Sequence, residues 1–152
     1  MKKVISILVA CMASIVMVNA QSLAFDQKTN VISVGVGVSS YINPSLAISA
    51  AYERGIYNFG NRFTIGIQAG VNVAPIEKAA FEVSLGPTFH FTPSERLDLY
   101  AGPTVFLYKN PYFSRVGVLG VAGVRYYFNK NLGVFANLGG IGLGNIGLAI
   151  KF

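Results

Sequence analysis

The chain has 152 residues, 53% of them hydrophobic and only 12% charged, with 17 glycines, one cysteine and a formal charge of +6. Soluble globular domains carry about 25% charged residues, so this composition argues against an exterior built to face water. The basic residues are scattered rather than clustered, which excludes an ordinary nucleic-acid surface, and the length suits one domain.

Met1-Lys2-Lys3, the nearly unbroken apolar run Val4 to Val18, and Val18-Asn19-Ala20 before Gln21 have the layout of a secretory signal peptide over residues 1–20. The run falls short of the roughly 18–20 residues a spanning helix requires. Leu8-Val9-Ala10-Cys11 resembles a lipoprotein box, but a cut there would leave Met12 to Val18 as an unexplained apolar tail. Removing residues 1–20 from 152 leaves 132, and the loss of Lys2 and Lys3 takes the charge from +6 to +4. Cys11 leaves as well, so neither a disulfide nor a thiolate metal site is expected.

Residues 21–30 read as a polar lead, and residues 31–152 as one β domain of eight strands with period-2 alternation. Ile32 to Val38 alternates with Ser33, Gly35, Gly37 and Ser39. After Asn43-Pro44, Leu46 to Tyr52 alternates with Ser45, Ala47, Ser49 and Glu53. Beyond a turn at Asn58 to Asn61, Phe63 to Val73 alternates with Thr64, Gly66, Gln68, Gly70 and Asn72. Phe81 to Phe91 sets apolar residues against Glu82, Ser84, Gly86, Thr88 and His90. Leu97 to Leu107 opposes Asp98, Tyr100, Gly102, Thr104 and Phe106. Val116 to Phe128 opposes Gly117, Gly123, Arg125 and Tyr127. Leu132 to Leu138 is the seventh strand, Gly139 to Gly144 a loop, and Asn145 to Phe152 the eighth.

Each strand is near the roughly 9–11 residues that a tilted membrane strand needs. With no helical span available, a closed barrel is the structure that satisfies the backbone in lipid. The expected fold is therefore an all-β, eight-stranded antiparallel up-and-down transmembrane β-barrel with short loops and both termini periplasmic. A lipocalin-like barrel would reverse the faces, and the polar face here is too small and too poor in charge to be a solvated exterior.

On this topology an aromatic girdle forms from Tyr52, Phe63, Phe89, Phe91, Tyr126, Phe128 and Phe152 at the periplasmic end, and from Tyr41, Tyr108, Tyr112 and Phe113 at the outer end. The inward charges predict a network. Asp98 falls opposite Arg125, His90 lies beside Asp98, Glu53 falls opposite Arg62, and Glu82 joins them inside the lumen. Paired inward charges fill a narrow lumen rather than open it, because an unpaired one is costly. The expected outer loops, near Tyr41 to Pro44, Ala74 to Lys78, Lys109 to Ser114 and Gly139 to Gly144, are too short for a large adhesive surface.

The ending Asn145-Ile-Gly147-Leu-Ala-Ile150-Lys-Phe152 resembles the C-terminal assembly signal of bacterial outer-membrane barrels. The whole mature chain resembles small barrels of the OmpA/OmpX type, and the Asn19-Ala20-Gln21 junction resembles that of secreted proteins of the Bacteroidota. The resemblance implies insertion by the barrel-assembly machinery into an outer membrane of lipid and lipopolysaccharide, with a non-enzymatic role. The strands do not project as in OmpX, and no soluble periplasmic domain follows as in OmpA.

The expected function is a structural or accessory one in the envelope, with a largely plugged lumen. A narrow channel for small solutes is the first alternative, with Glu82, Gln68 and Asn72 on a wet path. A lipid A-modifying enzyme is the second, since some eight-stranded barrels use a histidine with a serine and an acid. Here Thr92 stands two residues after His90 where a serine is wanted, and Ser94 is misplaced by parity. The third is a subunit of an envelope complex, contacted through Gly120 and Ala122. No catalytic residue, cofactor or metal is expected: the histidine is single and no thiol is retained.

Overall fold

The computed structural model describes residues 23–39, 45–74, 80–112, 114–139 and 142–152. The expected signal peptide, Tyr41 and Phe113 lie outside these residues. Eight strands follow in order: β1 (Asn30–Ser39), β2 (Ser45–Asn58), β3 (Phe63–Ala74), β4 (Ala80–Phe91), β5 (Leu97–Lys109), β6 (Ser114–Tyr127), β7 (Leu132–Gly139) and β8 (Gly142–Lys151). Each pairs antiparallel with its neighbour, and β8 closes on β1.

The register is staggered. Stepping from Gly117 across Phe106, Ser84, Gly70, Ala51, Ser33, Ala149 and Gly133 returns to β6 at Tyr127, ten residues along. A stagger of this kind requires tilted strands, roughly 35–45° to the axis. It fixes a lumen that side chains can fill.

Period-2 alternation sends the large apolar residues outward: Val34, Leu46, Ile48, Leu85, Val105, Val118, Leu138 and Ile146 are all exposed. Inside, the buried set mixes rings and polar groups, including Tyr100, Phe106, Tyr127, Phe135, Thr64 and Thr104. Four of the inward rings obey one rule. Tyr100 pairs across strands with Gly123, Phe106 with Gly117, Tyr127 with Gly133 and Phe135 with Gly147. A Cβ on any of these glycines would run into the ring that lies over it. The glycines are the space the rings occupy.

Three details differ from the expectation. The glycine loop is shorter, because β8 already begins at Gly142, paired with Ser39 beyond a bulge. Between β4 and β5 the ladder stops at Leu85–Val105 and resumes at Phe89–Ala101, with the outward-facing Pro87 and Pro103 in the gap. Neither proline has an N–H to give. Finally, residues 23–29 are not a free polar lead: Ala24 and Phe25 are fully buried in the barrel's end. A turn at Asp26–Thr29, with Lys28 at φ 75°, folds the segment back; Lys28 N donates to Gly55 O (3.0 Å) and Gly55 N to Thr29 O (2.9 Å).

Candidate functional site

The site is a closed ring of charge in the lumen near the chain termini. β2 supplies Glu53, β4 His90, β5 Asp98 and β6 Arg125, each at most 1% exposed. The inward parity of each strand puts them there. His90 Nδ1 lies 2.9 Å from Asp98 Oδ1 and its Nε2 2.9 Å from Glu53 Oε1. Arg125 Nη1 donates to Asp98 Oδ2 at 3.0 Å, and Nη2 reaches across the lumen to Glu53 Oε2. Carboxylates only accept, so a ring with both nitrogens facing them is satisfied by two N–H donors. Negative and positive groups then alternate round the circuit: Glu53, His90, Asp98, Arg125.

Smaller groups complete it. Thr88 Oγ1 donates to Glu53 Oε1 and sits 3.0 Å from His90 Nε2, and Gln68 Nε2 lies 3.5 Å from Glu53 Oε2. Aromatic faces enclose it: Phe25 stacks on His90 with centroids 3.8 Å apart, and Arg125 lies 4.2 Å from the Tyr100 centroid. Phe25 itself is held by backbone. Thr64 Oγ1 donates to Phe25 O (3.4 Å), and Lys151 Nζ on the last strand donates to Ala24 O (3.2 Å).

The structure places the expected network residues in three groups. Asp98, Arg125, His90 and Glu53 come together. Arg62 does not: β2 runs on through a bulge after Gly55 to Asn58, so Glu53 faces Gln68, and Arg62 is exposed in the turn before β3. Its carbonyl, not its guanidinium, is used, accepting from Thr92 N (2.9 Å). Glu82 is inside but belongs to no ion pair among the described residues; its partner is Asn72, whose Nδ2 donates to Oε1 at 3.3 Å.

Of the expected girdle, Tyr52, Phe63, Phe89 and Phe128 are exposed on the outer face, with Phe91 and Tyr126 half-buried beside Phe63 and Phe128. Tyr112 is 69% exposed at the opposite end. Tyr108 is a correction. It shares the inward row with Glu82 and packs on Ala47, Ala74 and Ala80, because its parity on β5 is that of Asp98. Tyr57 and Phe59 were missed and add to the exposed aromatics near the termini.

At the C-terminal motif, Ile150 and Phe152 face outward, Asn145 is buried, and Gly147 lies under Phe135. Neither hydroxyl considered for catalysis reaches His90. Thr92 Oγ1 donates to Arg62 O, and Ser94 Oγ accepts from Leu97 N (3.1 Å), capping a turn. Thr88 does reach it, and both side chains are buried, at 1% exposure each. The participants the sequence did not reveal are Phe25, which follows Leu23 and Ala24 in the segment before β1, and Thr88, two residues from His90 on the same face.

No family model and no curated protein matches the chain. Solved structures do. The N-terminal β-barrel domain of Pseudomonas aeruginosa OprF is similar at 18% identity and TM-score 0.60, covering 83% of this chain and 98% of that one. The Yersinia pestis outer membrane protein Ail in a nanodisc matches at 14% and 0.54, covering 83% of this chain and 100% of that one. Neisserial surface protein A matches at 13% and 0.54, covering 81% and 94%. The fold is that of small eight-stranded outer-membrane barrels of the OmpA/OmpX type.

Proposed function

We propose that the chain is an integral outer-membrane barrel with a structural or accessory role in the cell envelope and a lumen plugged at the periplasmic, terminus-bearing end. The observation that carries this is the inverted polarity of the barrel. Its outer face bears exposed Val34, Ile48, Leu85, Val118 and Ile146, while Glu53, His90, Asp98 and Arg125 are sealed inside. Water would penalise such an exterior, and lipid would stabilise it. The likeness to Ail, named as an outer membrane protein, supports the same location.

The plugged lumen rests on the charge ring with Phe25 seated on it. Insertion by the barrel-assembly machinery, delivery by a cleaved signal peptide and a lipopolysaccharide surroundings belong to this reading. A non-enzymatic role is supported by His90 being buried and committed to two carboxylates.

The test is a cell-fractionation gel followed by conductance. Unboiled protein from outer-membrane fractions should migrate faster than boiled protein. In planar bilayers the wild type should conduct weakly or not at all, and Phe25→Ala should raise conductance. A single mobility in the soluble periplasmic fraction would sink the membrane reading. Steady wild-type conductance unchanged by Phe25→Ala would instead favour the narrow channel.

A further inference from the structure

The half of the lumen away from the termini holds a second polar feature, which the charge ring does not use. Glu82 on β4 and Asn72 on β3 are cross-strand partners facing inward, and Glu82 is 3% exposed. Asn72 Nδ2 donates to Glu82 Oε1 at 3.3 Å, which leaves Glu82 Oε2 and Asn72 Oδ1 buried with no donor. A buried acceptor without a donor is costly, and a buried carboxylate without a counter-charge is more so.

Among the described residues no cation is placed to relieve it. Arg125 and His90 are engaged by Glu53 and Asp98. His90 is also eight residues along the same strand, which at the rise of a strand is roughly 26 Å. Arg115, reached through Tyr108 on the same inward row, is exposed at the rim and forms no ion pair with Glu82. Lys109 is exposed, paired with the outward Phe81.

Both orphaned residues line a cavity of about 60 Å³, together with Ser49, Gln68, Ser84 and Thr104. A single water needs roughly 10–15 Å³, so there is room for an ion and several waters. The lining offers carboxylate, amide and hydroxyl oxygens and neither thiol nor imidazole. Such donors select hard cations, and one carboxylate balances one charge. We infer that this cavity binds a small hard monovalent cation, of the sodium class, between Glu82 Oε2 and Asn72 Oδ1, with hydroxyl oxygens and water completing its shell. The inference goes beyond the envelope role and does not depend on it, since it needs only the folded barrel.

The experiment uses the folded mature chain in uncharged detergent micelles and reads sodium-23 line broadening. Folding of every sample is checked by its heat-dependent gel mobility. Wild-type protein should give saturable broadening that potassium displaces. Glu82→Gln should reduce it at least tenfold, while Glu95→Gln, at a turn near the termini, should leave it unchanged. Where Glu82→Gln does not fold, Asn72→Leu supplies the same readout and should weaken binding several-fold. Broadening that survives both substitutions is an adventitious surface ion only and overturns the site. Absence of broadening, with a carboxylic-acid carbonyl stretch in the infrared spectrum that Glu82→Gln removes, overturns it too, because a proton then satisfies the two oxygens.

Discussion

At the scale of single residues, Arg125 has the most to lose. Its guanidinium serves Asp98 and Glu53 at once and lies over Tyr100. Arg125→Met would fill similar volume yet leave two buried carboxylates sharing one histidine. Removing one partner of such a network costs about 3–5 kcal/mol. Urea unfolding of the refolded protein in micelles should show that loss, and Lys130→Met in the exposed turn after β6 should leave the midpoint unchanged. Residue parity made Asp98, Arg125, His90 and Glu53 legible in the sequence, because alternation assigns a face without reference to partners. Arg62 and Tyr108 were misread for opposite reasons. β2 continues past Glu53 to Asn58, which moves the turn to residues 59–62 and displaces the pairing by six residues, from Arg62 to Gln68, while the bulge after Gly55 alters the register by only one. Tyr108 was assigned by its chemistry, an aromatic near a strand end, although its parity pointed inward. Phe25 was invisible because nothing local says that a short stretch before β1 will turn back into the lumen.

At the scale of elements, glycine and ring act as pairs. Gly147 lies in the motif that resembles an assembly signal, and a Cβ there would meet the Val34 carbonyl and the Phe135 ring. Gly147→Leu should therefore prevent formation of the fast-migrating band even when the purified chain refolds in detergent with no assembly machinery present. Normal refolding there, with failure only in cells, would assign the glycine to recognition rather than packing. The strands also differ in support. β7 has 8 residues and β6 has 14, and their pairing ends at Val121–Gly139. Ser114 to Gly120 consequently have β5 on one side and no described partner strand on the other. Amides of that stretch directed away from β5 should exchange with deuterium far faster than those from Val121 to Tyr127, as seen by peptide-resolved mass spectrometry. The expected strand positions were close because membrane-type alternation is long and clean. The length of each pairing was not readable, since a glycine-rich run such as Gly139 to Gly144 suits loop and ladder alike.

At the scale of the whole molecule, the sheet closes on itself where β1 and β8 meet, Val31 beside Lys151 and Asn30 exchanging backbone hydrogen bonds with Phe152. These partners stand 120 positions apart (31 to 151), so closing the seam is the longest search the chain makes, and non-local closure is slow. Lys151 then holds Ala24 O, which gives folding a history: the seam must shut before the segment carrying Phe25 can dock against the strand that holds it. The chain contains no tryptophan, so Phe25→Trp would add a single reporter of docking. Its fluorescence change during refolding should lag the appearance of β-sheet circular dichroism, and simultaneous changes would refute the order. The segment before β1 and the last strand thus behave as a latch that engages only on a finished barrel.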